Sequence, residues 1–125
     1  GAASFTSEIM TAQILSNART QLLHRFHKRA KTNFEYLTKW MNHQTEFFEW
    51  VEPEGGIVCF PRYTMKISSV DLCTSLFKTQ KILLNPGIYF GQEGCIRLSF
   101  GCDLNILQHA LDALENGLQK LKNHR

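Results

Sequence analysis

The chain has 125 residues, 43% hydrophobic and 20% charged, with a formal net charge of +3. That is the composition of an ordinary soluble globular protein, with length for one domain and a real core. No apolar run approaches the length of a membrane span and no signal-peptide pattern opens the chain, so neither a spanning helix nor a leader is expected.

Gly1-Ala2-Ala3-Ser4 is read as a cloning scar or a cut linker that hides the natural start. Thr6 or Ser7 is expected to cap an opening helix, with Glu8 near its positive end. Helical periodicity then persists to about His43, as two helices or as one with a break near Ser16-Asn17. Leu15, Ala18, Leu22, Phe26, Ala30, Phe34, Leu37 and Met41 form its apolar stripe, which is expected to be buried. Arg19, Arg25, Lys28, Arg29 and Lys31 share the segment with His24 and His27. A basic helix can bind nucleic acid or an anionic membrane, but here the charges read as the solvated back of the stripe. Neither partner is expected. The two histidines would be half a metal site with no third ligand in view, so no metal is assigned.

Residues 47–51, Phe-Phe-Glu-Trp-Val, are aromatic and β-prone. Glu52-Pro53-Glu54-Gly55-Gly56 reads as a turn, and residues 57–63 as the second strand of a hairpin. Pro61 lies within that strand and argues for an edge, a bulge or the strand's end. Arg62, beside it, is a second anion-binding candidate or a solvent-facing charge. Ser68 or Ser69 caps a helix over residues 70–79, with Asp71 at its start. Residues 81–84 read as a strand leading to a tight turn at Asn85-Pro86-Gly87, where proline presets φ and glycine permits the turn. A short strand through Ile88-Tyr89-Phe90 follows, then a loop and a strand over residues 96–100. The last helix begins at Gly101 or Asp103 and carries Leu104, Leu107, Leu111, Leu114, Leu118 and Leu121 on one stripe. Cys59, Cys73, Cys95 and Cys102 lack paired zinc spacing and read as buried thiols in a reducing cytoplasm. The fold class is α+β: helices on one face of a small, mainly antiparallel sheet.

Arg97 is the residue that most needs explaining. In the strand over residues 96–100, alternation places Ile96, Leu98 and Phe100 on one face and Cys95, Arg97 and Ser99 on the other. A guanidinium there needs an anion or water, and its planar fork suits a carboxylate. Facing solvent or pairing with a nearby Asp or Glu would satisfy it as well.

The surrounding pattern adds to this. Pro86-Gly87, Phe90-Gly91, then Gly94-x-x-Arg97-x-Ser99-Phe100 and a closing amphipathic helix resemble the end of class I and II aminotransferases, pyridoxal-phosphate enzymes of fold type I. Pro53-Glu54-Gly55-Gly56-Ile57-Val58-Cys59-Phe60 is similar to that family's Pro-x-Gly-Gly strand, and Asn33, Leu37 and Trp40 fit its preceding helix. The likeness runs from about Thr6 to Leu121. It implies that residues 5–125 are the C-terminal small domain of an aminotransferase moving an amino group between an amino acid and a 2-oxo acid. It implies that Arg97 holds the substrate α-carboxylate, with Gly56 (and Gly55) allowing close approach and Phe90 lining the pocket. An ordinary hairpin turn and an ordinary core aromatic account for the glycines and Phe90 equally well.

The family's Schiff-base lysine, its acid beside the pyridinium nitrogen and its phosphate cradle lie in a large domain that precedes this region, and none of those motifs occurs here. Lys66, Lys78 and Lys81 have no matching context, so no catalytic or cofactor-binding residue is assigned to this chain. Pyridoxal phosphate is expected in the intact parent, a cytoplasmic homodimer, and not on this chain alone. The alternatives are a non-catalytic ligand- or protein-binding module, or part of another type I enzyme such as a lyase, a synthase or a regulator.

Overall fold

The computed structural model describes residues 2–53 and 55–124, and side chains from residue 12 onward within that set. The first helix, α1, runs without interruption over Ala2–Asn42. The break expected near Ser16-Asn17 is absent. Neither residue is a strong breaker, and each costs a helix only a few tenths of a kcal/mol. Thr20 Oγ1 instead donates to the Ser16 carbonyl at 3.0 Å, inside the helix. The caps expected at Thr6, Ser7 and Glu8 fall on side chains outside the described residues.

The expected burial of the α1 stripe holds only toward its end. Leu37 and Met41 are buried and Phe34 partly so, whereas Leu15 and Leu22 are more than 60% exposed. Asn33, at the start of the buried stretch, is fully enclosed. Its side-chain amide donates to the Phe100 carbonyl at 2.8 Å and to that of Cys102. It ties α1 to the end of a strand almost seventy positions away in the sequence.

Three short strands follow: β1 (Phe48–Glu49), β2 (Val58–Cys59) and β3 (Arg62–Tyr63). The hairpin expected over residues 47–63 is therefore only half present. β1 pairs antiparallel with β3, Phe48 opposite Tyr63. β2 instead pairs with β5 (Ile96–Ser99), Val58 opposite Ser99 and Cys59 opposite Leu98. The chain changes partner at Phe60-Pro61, where proline has no N–H to give a ladder. Pro61 is buried and its carbonyl accepts from the Ile96 N–H at 3.1 Å.

Helix α2 (Ser69–Gln80) is capped as expected, Ser68 Oγ accepting from the Asp71 N–H at 3.1 Å. It ends on Lys81 in the left-handed region, φ 60°, whose N–H returns to the Phe77 carbonyl. That cap uses the residue expected to open a strand, so residues 81–84 form none. The pairing shifts to β4 (Asn85–Pro86), with Asn85 opposite Arg97. The residues after it form a 3₁₀ helix, Gly87–Phe90, and not the expected strand. Crossed hydrogen bonds bend the chain there: the Gly87 N–H donates to the Cys95 carbonyl and the Gln92 N–H to the Gly87 carbonyl, both at 2.9 Å. Gly87 is needed for closeness and not for a left-handed turn, since a Cβ would overlap the carbonyl oxygens of Gln92 and Cys95.

β5 alternates as read, with Ile96, Leu98 and Phe100 buried. Helix α3 (Leu104–Asn123) buries Leu107, Leu111, Leu114 and Leu118. Burying four leucines contributes on the order of 6–12 kcal/mol before entropy is counted. Asp103 precedes α3 without capping it, and pairs instead with Arg29 of α1 at 3.2 Å. Gly117 lets α3 approach Leu76 and Gln80 of α2. The inner face of β5, the end of α1, α2 and α3 close on one core, an α+β arrangement.

Candidate functional site

Arg97 leaves the middle of β5 on the face opposite the core and is half-buried. Its Cζ lies 4.8 Å from the centre of the Phe90 ring. Phe60 meets the same ring nearly edge-on, 5.8 Å between centroids at 62°. Each of the three comes from a different element. Pairing of Cys59 with Leu98 brings Phe60 level with Arg97, and the 3₁₀ helix delivers Phe90 from β4. A guanidinium over a ring face gains cation–π attraction and keeps its N–H groups, which lie in its plane, for an anion. The ion pairs among the described residues are Arg29–Asp103 and Lys122–Glu46, and neither engages Arg97. A recess of about 220 Å³ that Arg97 also borders lies between β5 and α3, with Leu98, Leu107, Leu111 and Leu114 in its wall, and does not include Phe60 or Phe90.

The residues singled out from sequence divide. Arg97 and Phe90 come together. Gly56 does not join them: it sits two residues beyond the Val58–Ser99 pair, beside Phe34 of α1 in a separate shallow recess. It lies four residues from Phe60, roughly 13 Å along an extended chain. Gly56 has φ +78° and open space around it, as does Gly55 apart from the φ. Arg62 is exposed, opposite Glu49 across the β1–β3 pair, with its guanidinium over the Cα of Gly94.

Glu93 belongs to the site's support and has no signal in the sequence, where an acid between glycines reads as a solvated loop charge. Its Oε1 accepts from the Ser69 N–H at 2.7 Å and its Oε2 from the Ser69 hydroxyl at 2.9 Å. Those bonds, the Ser69 backbone foremost, hold its carboxyl below the usual range. Tyr63 donates to the Ile67 carbonyl at 2.6 Å, with its oxygen 3.3 Å from Glu93 Oε1.

Among the described residues, the starts of α2 and α3 do not fit a phosphorylated pyridine cofactor. A phosphate cradle needs open N–H groups at a helix start. The start of α2 is taken by the Ser68 hydroxyl and the Glu93 carboxylate, with Asp71 in its first turn, and the start of α3 carries Asp103. Those acids repel an anion. Lys66, Lys78 and Lys81 are all exposed, the last two at the C-terminal end of α2. Burial pushes the Cys59 thiol up to about 12 and Cys73 to about 11, so neither is a nucleophile near neutral pH. No group of three or more His, Cys, Asp or Glu that could hold a metal ion is present among the described residues. No helix among them is long and apolar enough to cross a membrane.

The aminotransferase class I and II family model matches residues 3–114. Capreomycidine synthase of Streptomyces vinaceus is 30% identical over 89 residues, covering 71% of this chain and 23% of that protein. An aspartate aminotransferase of Thermotoga maritima is 36% identical over 70 residues, covering 56% of this chain and 18% of that protein. Among solved structures, a PLP-dependent aminotransferase from Streptococcus suis 89-1591 superposes with a TM-score of 0.74 at 24% identity, covering 78% of this chain and 26% of that one. The chain thus spans about a quarter or less of the length of these proteins. Matched over most of its residues, with the three helices and small antiparallel sheets this fold requires, the chain belongs to the class I and II aminotransferase family.

Proposed function

We propose that this chain is the C-terminal small domain of a pyridoxal-phosphate-dependent aminotransferase, and that its share of the work is to hold the substrate's carboxylate through Arg97. The observation that carries the reading is the Arg97 guanidinium itself. It is half-buried and stacked on Phe90, outside both ion pairs found among the described residues. A bidentate carboxylate would complete it. Gripping that group fixes how the substrate lies, and orientation of this kind is worth large rate factors. The cofactor, the lysine that binds it and the phosphate cradle belong to residues outside this chain. Transamination by the isolated chain is therefore not expected. The parent is read as acting on an amino acid and a 2-oxo acid, in keeping with the aminotransferases it matches; that it works as a homodimer is part of the proposal.

The test is made on the full-length protein. Visible absorbance of bound pyridoxal phosphate, lost on adding an amino acid and restored by a 2-oxo acid, is the expected behaviour. Arg97→Ala should raise KM and lower turnover, with a combined loss of about 2–5 kcal/mol in transition-state stabilisation. Cofactor absorbance should stay unchanged. Wild-type kinetics in that variant would remove Arg97 from the site. A folded full-length protein that binds no cofactor would shift the reading to a non-catalytic ligand-binding module.

A further inference from the structure

We infer that Phe90 is a positioning residue for Arg97, and that Glu93 holds Phe90 in place through Ser69 and the backbone of the 3₁₀ helix. The inference rests on the reading of Arg97 as the carboxylate-binding group. It adds that two residues set the angle of the guanidinium fork without touching the ligand.

The geometry runs in one connected path. Glu93 stands in the loop just before β5 and receives both the N–H and the hydroxyl of Ser69. The same hydroxyl oxygen accepts from the Ile88 N–H at 3.3 Å, inside the 3₁₀ helix. Phe90 is the last residue of that helix, two positions on, and its ring lies under Arg97. A 3₁₀ helix of four residues has poor internal hydrogen-bond geometry and needs ties from outside. It has one at its start, where the Gly87 N–H donates to the Cys95 carbonyl; its end is closed by its own cap, Gly91, φ +75°, whose N–H returns to the carbonyls of Gly87 and Ile88. The Ser69 hydroxyl supplies a second outside tie, at Ile88, and Glu93 supplies the orientation of that hydroxyl. Phe60, edge-on to Phe90, limits its rotation from the β2 side.

Phe90 is 47% exposed and leaves the core packing to others. Phe100, by contrast, is sunk into the core. The face of Phe90 is instead spent on a cation that has no other described partner of opposite charge. An arginine without this support would keep its charge but sweep through several rotamers, binding a carboxylate with more entropy to lose. A cap on α2 alone would account for the contacts of Glu93 with Ser69, but not for the bond from Ile88 to the same hydroxyl.

The experiment compares Phe90→Leu, Phe90→Tyr and Glu93→Gln with Arg97→Ala in the full-length protein, reading kcat and KM together with the side-chain NMR of nitrogen-labelled arginine. Phe90→Leu is expected to lower kcat/KM about two- to fivefold, the size of a cation–π contact, with the loss in KM more than in kcat. Phe90→Tyr keeps the ring face and should restore it. Glu93→Gln should move kcat/KM the same way by less. The Arg97 Nε–H signal should be ordered and displaced by the ring in the wild type and averaged in Phe90→Leu. An unchanged signal and unchanged kcat/KM in Phe90→Leu, with Arg97→Ala still impaired, would overturn the positioning role and leave the carboxylate reading standing. If Arg97→Ala is itself like the wild type, the carboxylate reading falls, and the Arg97 signal in Phe90→Leu alone decides whether the ring orders the guanidinium. Should Phe90→Leu fail to fold, Glu93→Gln decides on the same two readouts.

Discussion

Helices α1 and α3 carry apolar stripes of the same kind, yet the molecule treats them differently. The leucines of α3 close on α2 and β5, and four of them are buried. The stripe of α1 is buried only from Asn33 onward. Before that, Leu15, Leu22 and Phe26 face outward, and Arg19, Arg25 and Arg29 join Leu22, Leu23 and Phe26 around an open recess of about 460 Å³. Periodicity states which face of a helix can be buried. It does not state that the covering surface belongs to the same stretch of chain. The basic residues lie on all sides of that exposed half, so the solvated back expected for them is not a separate face here.

The sharpest way to break this comparison is to shorten one leucine in each helix. Leu111→Ala in α3 should cost about 2–5 kcal/mol in urea unfolding, as a buried leucine truncated without collapse of the cavity. Leu22→Ala in α1 should fall within about 0.5 kcal/mol in the chain alone. Equal losses would mean that the exposed half of α1 is packed in solution. A smaller contrast separates two glycines. Gly87→Ala should destabilise by about 1–3 kcal/mol, because its Cβ would overlap two carbonyl oxygens. Gly55→Ala meets nothing within 4 Å and should change little. A tolerated Gly87→Ala would show that the 3₁₀ helix is free to move away from β5.

The smallest effect expected is that of pH. The carboxyl of Glu93 is held below its ordinary value of 4.5 by Ser69. A depressed acid contributes stability that is fully present above that ordinary value and is lost as pH falls through its lower folded value. Stability should therefore decline modestly on acidification below about pH 4.5, and less so in Glu93→Gln. The same acid slope in both proteins would assign the loss to other carboxylates.

Much of the local structure was legible in the sequence because its causes are local. Ser68 with Asp71, the leucine stripe of α3 and the alternation of β5 each follow from side-chain chemistry within a few positions. Arg97 could be singled out for the same reason, as a guanidinium midway along a short apolar strand, and the order of the motifs around it carried the family. The elements that differ are those decided at long range. Residues 57–63 change partner at Pro61 because β5 competes with β1 for them. The chain after Pro86 turns into a 3₁₀ helix because the Cys95 carbonyl, from a later segment, accepts the Gly87 N–H. Phe90 and Arg97 are separated in sequence by a loop of glycines, and only the β4–β5 pairing brings ring and guanidinium together. Glu93 has its meaning only once Ser69 stands before it. By itself the sequence determined where the three long helices run, which faces are apolar and which residue carries the unusual charge. The tertiary structure alone decided which strands pair, which part of the α1 stripe is covered and what holds Arg97 in place, because those depend on contacts between groups that no local pattern connects.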